Sequence, residues 1–406
     1  MKKLIFSMCC ILCSVAVLGQ NENYSSETLS QKYSEQTKII SQAFKDKNYK
    51  QAKSLLNELI DFFSALPESE LKKHSSALPN LYYDLTCVHS LEKNTKMAIS
   101  SFEKAVGLGY INYSHANKDT DLDNIRNDKR FKELMSSIRE HGDYLYIIQQ
   151  AVKYQKEDTT GYPKFVYEDI GNWRIQNVKK YLKLDSIAGN GDEISKIINI
   201  MTWVHNTIPH DGSHFPNCEI DAVDIYNYSK ANNNKGVNCR ALAIVLNECY
   251  LSMGFKSRYI TCLPKNENDS DCHVINSVYS KTLNKWLWMD PTFNAYLKDE
   301  KGTLLGIAEV RDILINNQTI ILNEDANWNN KNPQTKENYI DSYMAKNLYW
   351  LQCPARSIFN VETNYRNTNE KYLSLLPLGF EREDKWKNNM ITHDDAYFWQ
   401  APEFKD

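Results

Sequence analysis

Gly236-Val-Asn-Cys-Arg-Ala-Leu-Ala-Ile-Val-Leu-Asn-Glu-Cys-Tyr-Leu-Ser-Met-Gly254 is the stretch on which the reading of this chain turns. After Cys239, apolar residues recur at Leu242, Val245, Leu246, Cys249 and Met253, the spacing of a core-facing helical stripe. Gly254 supplies a C-terminal stop. Cys239 therefore falls in the first turn of a buried helix, behind a loop containing Gly236. The unsatisfied N–H groups and the positive dipole end found there stabilise a thiolate and lower its pKa. A lone cysteine at a helix start is often an inert core residue, so the reading requires partners.

They follow in order. Phe255 to Leu263 reads as a strand, and a loop carrying Asn266, Asn268 and Asp271 leads into a second strand that opens at His273. Thr282-Leu-Asn-Lys285 makes the turn, and Trp286-Leu-Trp-Met-Asp-Pro291 forms a third strand ended by its proline. In adjacent antiparallel strands His273 and Asp290 come side by side while the Cys239 helix packs on the sheet. That arrangement supplies a thiolate nucleophile, an imidazole base and a carboxylate that fixes the imidazole tautomer.

The Gly-x-x-Cys helix, the His273-x-x-Asn276 strand and the Lys285-Trp-Leu-Trp-Met-Asp-Pro-Thr292 strand together resemble the transglutaminase-like core, a relative of the papain-type cysteine hydrolases. The resemblance covers roughly Glu193 to Thr292. It implies an α+β fold, a nucleophile-bearing helix packed on an antiparallel sheet, with Cys239 as nucleophile, His273 as general base and acid, and Asp290 as orienter. Cross-linking members carry Gln before and Trp after the cysteine; Asn238 and Arg240 stand here. The resemblance thus implies a cysteine peptidase or amide hydrolase acting on peptide or protein, rather than a cross-linking enzyme. The alternative is an inactive transglutaminase-like scaffold that uses its helical region for partner contact. An acyl-transfer enzyme also needs donors for the tetrahedral oxyanion. The backbone N–H of Cys239 is the natural first donor, and Asn238, Trp203 and His210 are the candidates for a second.

Upstream, Glu193 to Thr207 repeats an apolar stripe at Ile194, Ile197, Ile198, Met201 and Val204 and reads as a helix. Between about Gln31 and Glu140 the pattern is helical throughout. Asn48 to Ile60 aligns with Asn94 to Val106, sharing Asn48/Asn94, Lys50/Lys96, Ala52/Ala98 and Ser54/Ser100. A small residue at one fixed place in paired helices lets neighbours approach closely. This segment resembles divergent tetratricopeptide-type hairpins, with Asp121 to Phe131 as the closing turn, and the resemblance implies a surface for a protein partner. The expected organisation is a leader over 1–19, a helical region over 31–140 and a transglutaminase-like domain with a C-terminal extension over 161–406. Residues 293 to 406 read as short helical and irregular segments wrapping the core, with a helix at Glu309 to Ile315.

At the start of the chain, Lys2 and Lys3 precede an almost unbroken apolar run from Leu4 to Leu18, closed by Gly19. The run is short of the ~20 residues a bilayer requires and has the layout of a cleaved secretory signal. Export without a membrane span, to the periplasm or medium, is the expectation. Removing 1–19 leaves seven cysteines, an odd number, so at least one thiol stays unpaired. A formal charge of −3, from 48 Lys+Arg against 51 Asp+Glu, gives no support to nucleic-acid binding by counterion release. His205, His210, His214 and Cys218 match no zinc motif, and Pro209 and Gly212 break any common helical face. With no phosphate-binding glycine loop or calcium loop in the sequence, no cofactor or metal is expected.

Overall fold

The computed structural model describes residues 26–363, 370–381 and 389–404 of the chain, so the expected leader over 1–19 lies outside the described residues. The chain divides into two compact units, one up to Asp143 and one from Tyr144.

The first unit is helical. Its longer helices are α1 (Ser26–Lys45), α2 (Tyr49–Ser64), α3 (Ala77–Leu91), α4 (Thr95–Gly107) and α5 (Lys129–Gly142). The two similar segments become α2 and α4, and they start identically. Lys47 and Lys93 adopt positive φ, 54° and 58°. Asn48 and Asn94 then cap the helices, their side chains accepting from the N–H groups of Gln51 and Met97. Ala52 and Ala98 have no exposed surface, and the same holds for their partners Leu56 and Phe102. Asp128 caps α5 and places the Phe131 ring 5.1 Å from that of Phe102.

The second unit is α+β, with a helical layer on a sheet, as a transglutaminase-like core requires. Six strands, β1 (Ser257–Leu263), β2 (His273–Ser280), β3 (Lys285–Met289), β4 (Trp350–Pro354), β5 (Tyr372–Leu375) and β6 (Asn389–Thr392), lie in the order β6-β5-β4-β1-β2-β3. All pairings are antiparallel except β5 with β6. On one face pack α6 (Glu193–Thr207), α7 (Ala222–Ala231) and α8 (Cys239–Ser252), burying Tyr259, Val274, Val278, Leu287 and Met289. The other face, with Ile260, Ile275 and Trp288, is covered by Val310, Leu314, Tyr339 and Ile340. With both faces covered, every residue of β2 is buried, which is why it lacks a clean polar alternation.

Helix α8 is buried from Ala241 to Ser252 rather than along one stripe. Its polar residues are therefore partnered. Glu248 accepts from the N–H groups of Ala222 (2.8 Å) and Asn360 (2.7 Å), and burial still pushes its carboxyl up to about 8. Asn276 of β2 donates to the carbonyl of Ala243 at 2.9 Å, tying helix to sheet.

Two sequence expectations change here. Residues 293 to 406 are not merely short helical and irregular segments, since β4, β5 and β6 all come from them. Their helix starts at Ile307, where Glu309 reaches back to the Gly306 N–H at 2.8 Å. The second unit also begins upstream of the expected residue 161: Ile148 is fully buried in the core on the far face of the sheet, with Leu145 packed against it. Among the described residues no helix is long and apolar enough to cross a membrane.

Candidate active site

Two loops bring Cys239 into place. Val237 N–H donates to the Pro209 carbonyl (3.0 Å), Asp211 N–H to the Val237 carbonyl (2.9 Å), and Asn238 N–H to the His214 carbonyl (2.7 Å). The approach is close enough to require Gly236. A Cβ there would stand 2.9 Å from Asp211 Cβ and 3.1 Å from the His210 carbonyl carbon. Asn238 Oδ1 then accepts from the Ala241 N–H at 3.1 Å, capping α8. Cys239 is the first residue of the helix and is partly exposed.

His273 and Asp290 are set by strand register. Asn276 stands opposite Met289, so one further pair would place Asp290 opposite Ile275. That puts its side chain on the same sheet face as His273, a diagonal neighbour. His273 Nε2 and Asp290 Oδ2 are 2.7 Å apart, with both side chains buried. Asp290 is held from several directions. Tyr339 Oη donates to Oδ2 at 2.6 Å, and the N–H groups of Thr292 (2.8 Å) and Phe293 (3.4 Å) donate to Oδ1. The rings of Phe293 and Tyr343 flank the imidazole, with centroids 5.5 and 5.2 Å away. Since Asp290 occupies Nε2, Nδ1 is the nitrogen left to act on the Cys239 thiol, which His273 lowers.

The electrostatics follow. Burial resists ionisation of the Cys239 thiol, but hydrogen bonds from His210 and His273, the His273 charge and the Val274 N–H outweigh it, bringing the thiol down to about 6. Burial likewise resists a charged His273, and the Asp290 carboxylate overcomes it with help from Cys239, raising the imidazole to about 10. Near pH 7 the pair is thiolate and imidazolium. The three residues that the sequence picks out are thus together, in the order thiol, imidazole, carboxylate.

The other sequence candidates separate. His210 helps to lower the Cys239 thiol, and its main chain bridges to Val237 in the loop before it. Asn238 is engaged as the helix cap, and Trp203 stacks on Tyr226 with centroids 6.1 Å apart. The histidines considered for zinc have separate partners: His205 binds the Pro291 carbonyl and Asn327 Oδ1 (both 3.0 Å), and His214 binds Tyr228 Oη (2.8 Å). All seven described cysteines are free thiols. Burial pushes the Cys272 thiol up, and the neighbouring Cys239 charge pushes it further, opposite to what a nucleophile needs. Arg240 pairs with Glu362 (2.9 Å) and donates to Thr261 Oγ1 (3.0 Å), so it is anchored to the sheet. A cavity of about 620 Å³ between Lys164–Ile170 and Gln400–Phe404 contains none of these residues.

Sequence reasoning missed Tyr339 and Trp328 and singled out Tyr343 only as part of a downstream segment expected to form one wall of the cleft. Tyr339 and Tyr343 lie on one π-helix, Glu337–Met344, a wide turn that frequently marks functional sites. The aromatic richness of this region was visible; its convergence on His273 was not, because it depends on contacts some 50 to 70 residues away in sequence.

Residues 181–291 match the family described as the transglutaminase-like superfamily. The chain thus carries a transglutaminase-like domain, and Cys239, His273 and Asp290 all lie within it. The chain is also similar to the crystal structure of a proposed cysteine protease from Cytophaga hutchinsonii, at 19% identity and a TM-score of 0.23. That similarity covers 36% of this chain and 48% of the other, so it spans about half the length of that protein. No curated protein matches the chain.

Proposed function

We propose that this protein is an exported cysteine-type amidase or peptidase working by thiol acyl transfer. The observation that carries the reading is the buried 2.7 Å His273–Asp290 contact beside Cys239, a partly exposed residue at a helix N-terminus. The Cys239 thiolate attacks the carbonyl carbon of an amide, and the carbonyl π pair moves to oxygen. As the tetrahedral adduct collapses, the C–N bond breaks and His273 passes its proton to the leaving amine. Neutral His273 then takes a proton from water, whose oxygen attacks the thioester carbonyl; the second adduct collapses with cleavage of the C–S bond, releasing the acid and leaving the Cys239 thiolate beside the imidazolium. Asp290 holds the ring in the Nε2–H tautomer and stabilises the imidazolium.

Peptide or protein is the substrate class that a transglutaminase-like domain supports, and the helical unit is the natural place for a partner or a large substrate to dock. Water is the acyl acceptor in this reading, given Asn238 and Arg240 where cross-linking relatives carry Gln and Trp. Export rests on the apolar leader over 1–19. The test is iodoacetamide labelling of the full chain across pH with peptide mapping, beside amine-release and amine-incorporation assays. The expected result is fastest labelling at Cys239, persisting below pH 7, and Cys239-dependent release of amine. An inert Cys239 would sink the nucleophile assignment. Incorporation exceeding hydrolysis would overturn the hydrolase reading.

A further inference from the structure

We infer that His210 supplies the second oxyanion donor, its Nε2–H locked in place by Trp328. This rests on Cys239 acting as the nucleophile. Trp328 Nε1, which can only donate, lies 2.9 Å from His210 Nδ1. Nδ1 is therefore the acceptor nitrogen, and in the neutral ring the proton resides on Nε2. That leaves Nε2–H as the ring's free donor, turned away from Trp328, on a side chain that favours the Cys239 thiolate.

The backbone is fixed as well. His210 N–H donates to Asn329 Oδ1 (2.7 Å), and Asn329 Nδ2 donates back to the His210 carbonyl (2.9 Å). Adjacent residues, Trp328 and Asn329, thus clamp the ring and the main chain of one histidine. Its bridge to Val237 holds it against the loop that delivers Cys239. A donor so constrained does not reorganise during reaction, the condition under which oxyanion stabilisation is largest.

His210 and His273 approach the same sulfur in different roles. His273 faces Asp290 and carries the mobile proton; His210 faces a neutral indole. When the thiolate adds to a carbonyl, the S–C bond forms and the π pair moves to oxygen, next to the sulfur. The Cys239 N–H, in the helix's first turn where no intrahelical acceptor exists, and His210 Nε2–H both donate to that oxygen. No proton leaves His210. On collapse the electron pair returns, the C–N bond breaks and the leaving nitrogen takes its proton from His273.

Two probes separate this role from simple support of the thiolate. Iodoacetamide alkylates sulfur by displacement and develops no oxyanion, whereas p-nitrophenyl acetate acylates it through a tetrahedral one. In His210→Ala, alkylation measured at its high-pH plateau should stay within about threefold of the parent. Acylation at the same pH should fall by about a hundredfold, the scale of losing one oxyanion donor. His210→Gln, which restores an N–H donor, should recover part of that loss. In Trp328→Phe, nitrogen-15 NMR of the His210 ring should show the Nε2–H form giving way to a tautomer mixture, with a smaller loss of acylation. Parallel loss of alkylation and acylation in His210→Ala would overturn the inference, and so would unchanged acylation. A parent protein inert to both probes would instead fail the nucleophile reading and take this inference with it.

Discussion

Replacing Asp290 by Asn tests whether the thiolate depends on a carboxylate two side chains away. In the parent, burial alone would keep His273 neutral; the Asp290 charge is the largest effect lifting it to about 10. Asn keeps a similar shape and an oxygen for its hydrogen-bonding neighbours, but the charge is gone. Burial then prevails and the imidazole is neutral at pH 7. Cys239 in turn loses the cation beside it and keeps only the hydrogen bonds from His210 and the Val274 N–H against its own burial. Its half-ionisation point should move from about 6 to about 8 or higher. At pH 7 the thiolate fraction falls from about nine-tenths to about one-tenth, so iodoacetamide alkylation slows roughly tenfold.

In the parent, a thiol with a lowered pKa is deprotonated above about 6, so alkylation is lost as pH falls through that value. His273, with a raised pKa, holds its proton until about 10, so turnover that needs an acid is lost as pH rises through that value. In Asp290→Asn the alkylation curve should shift bodily to higher pH and reach a similar plateau near pH 10. The assay is alkylation rate against pH, followed by mass mapping at Cys239, with far-UV circular dichroism to verify the fold. A half-point still near 6 would refute the chain of reasoning, because it would mean that the helix end and His210 suffice without Asp290.

Three further outcomes are expected. Asn94→Ala, which removes the cap that accepts from the Met97 N–H, should cost about 1 kcal/mol of stability in urea unfolding; no change would mean that the cap contributes nothing in this helix. Gly236→Ala should leave the fold intact but slow turnover, because its Cβ would displace Asp211 and the His210 backbone; unimpaired turnover would show that the loop gives way without moving His210. A chain starting at Tyr144 should melt cooperatively, whereas one starting at Gly161 should be less stable by about 2–5 kcal/mol for loss of the buried Ile148, and equal melts would place Ile148 outside the core.

How much of this was legible in the sequence depends on how local each feature is. Cys239 at a helix start, His273 at a strand start and Asp290 at a strand end are all punctuation points, marked by Gly236, a polar loop and Pro291 within a few residues. Their registration follows from one tight turn at 281–284, which fixes Asn276 against Met289. Asn48 and Asn94 were legible as matched positions of two similar segments, and their capping role emerged only with the fold. By contrast, β4 and β5 carry little strand signal because they are short and buried on both sides, and β4 pairs with β1 across nearly 90 residues. Tyr339 could not be assigned to Asp290 for want of any local pattern linking a π-helix to a strand end. Nor could the sequence choose His210 over Asn238 and Trp203. That choice rests on Trp328, whose indole arrives from 118 residues away.

The arrangement also weighs between an enzyme and an inactive scaffold. Burying a carboxylate and an imidazole is expensive, and a buried ion pair is commonly no better for stability than apolar residues of similar volume. A scaffold gains nothing from such a pair at the mouth of a helix. Here the pair is buried, yet Cys239 beside it is a partly exposed residue, so the charge separation lies next to a position at the edge of the core. The other two thiols near it are pushed the opposite way: burial, then Asp290, raises Cys262, and burial, then Cys239, raises Cys272. One lowered thiol in a cluster of three is a selective arrangement, and perturbed titration of this kind is a pattern of sites that perform chemistry. Arg240 fits the same division of labour. Its guanidinium is neutralised by Glu362, which also accepts from Tyr259 Oη (2.8 Å) and Tyr372 Oη (2.7 Å). Arg240, the residue after Cys239, thus braces the helix start against the sheet.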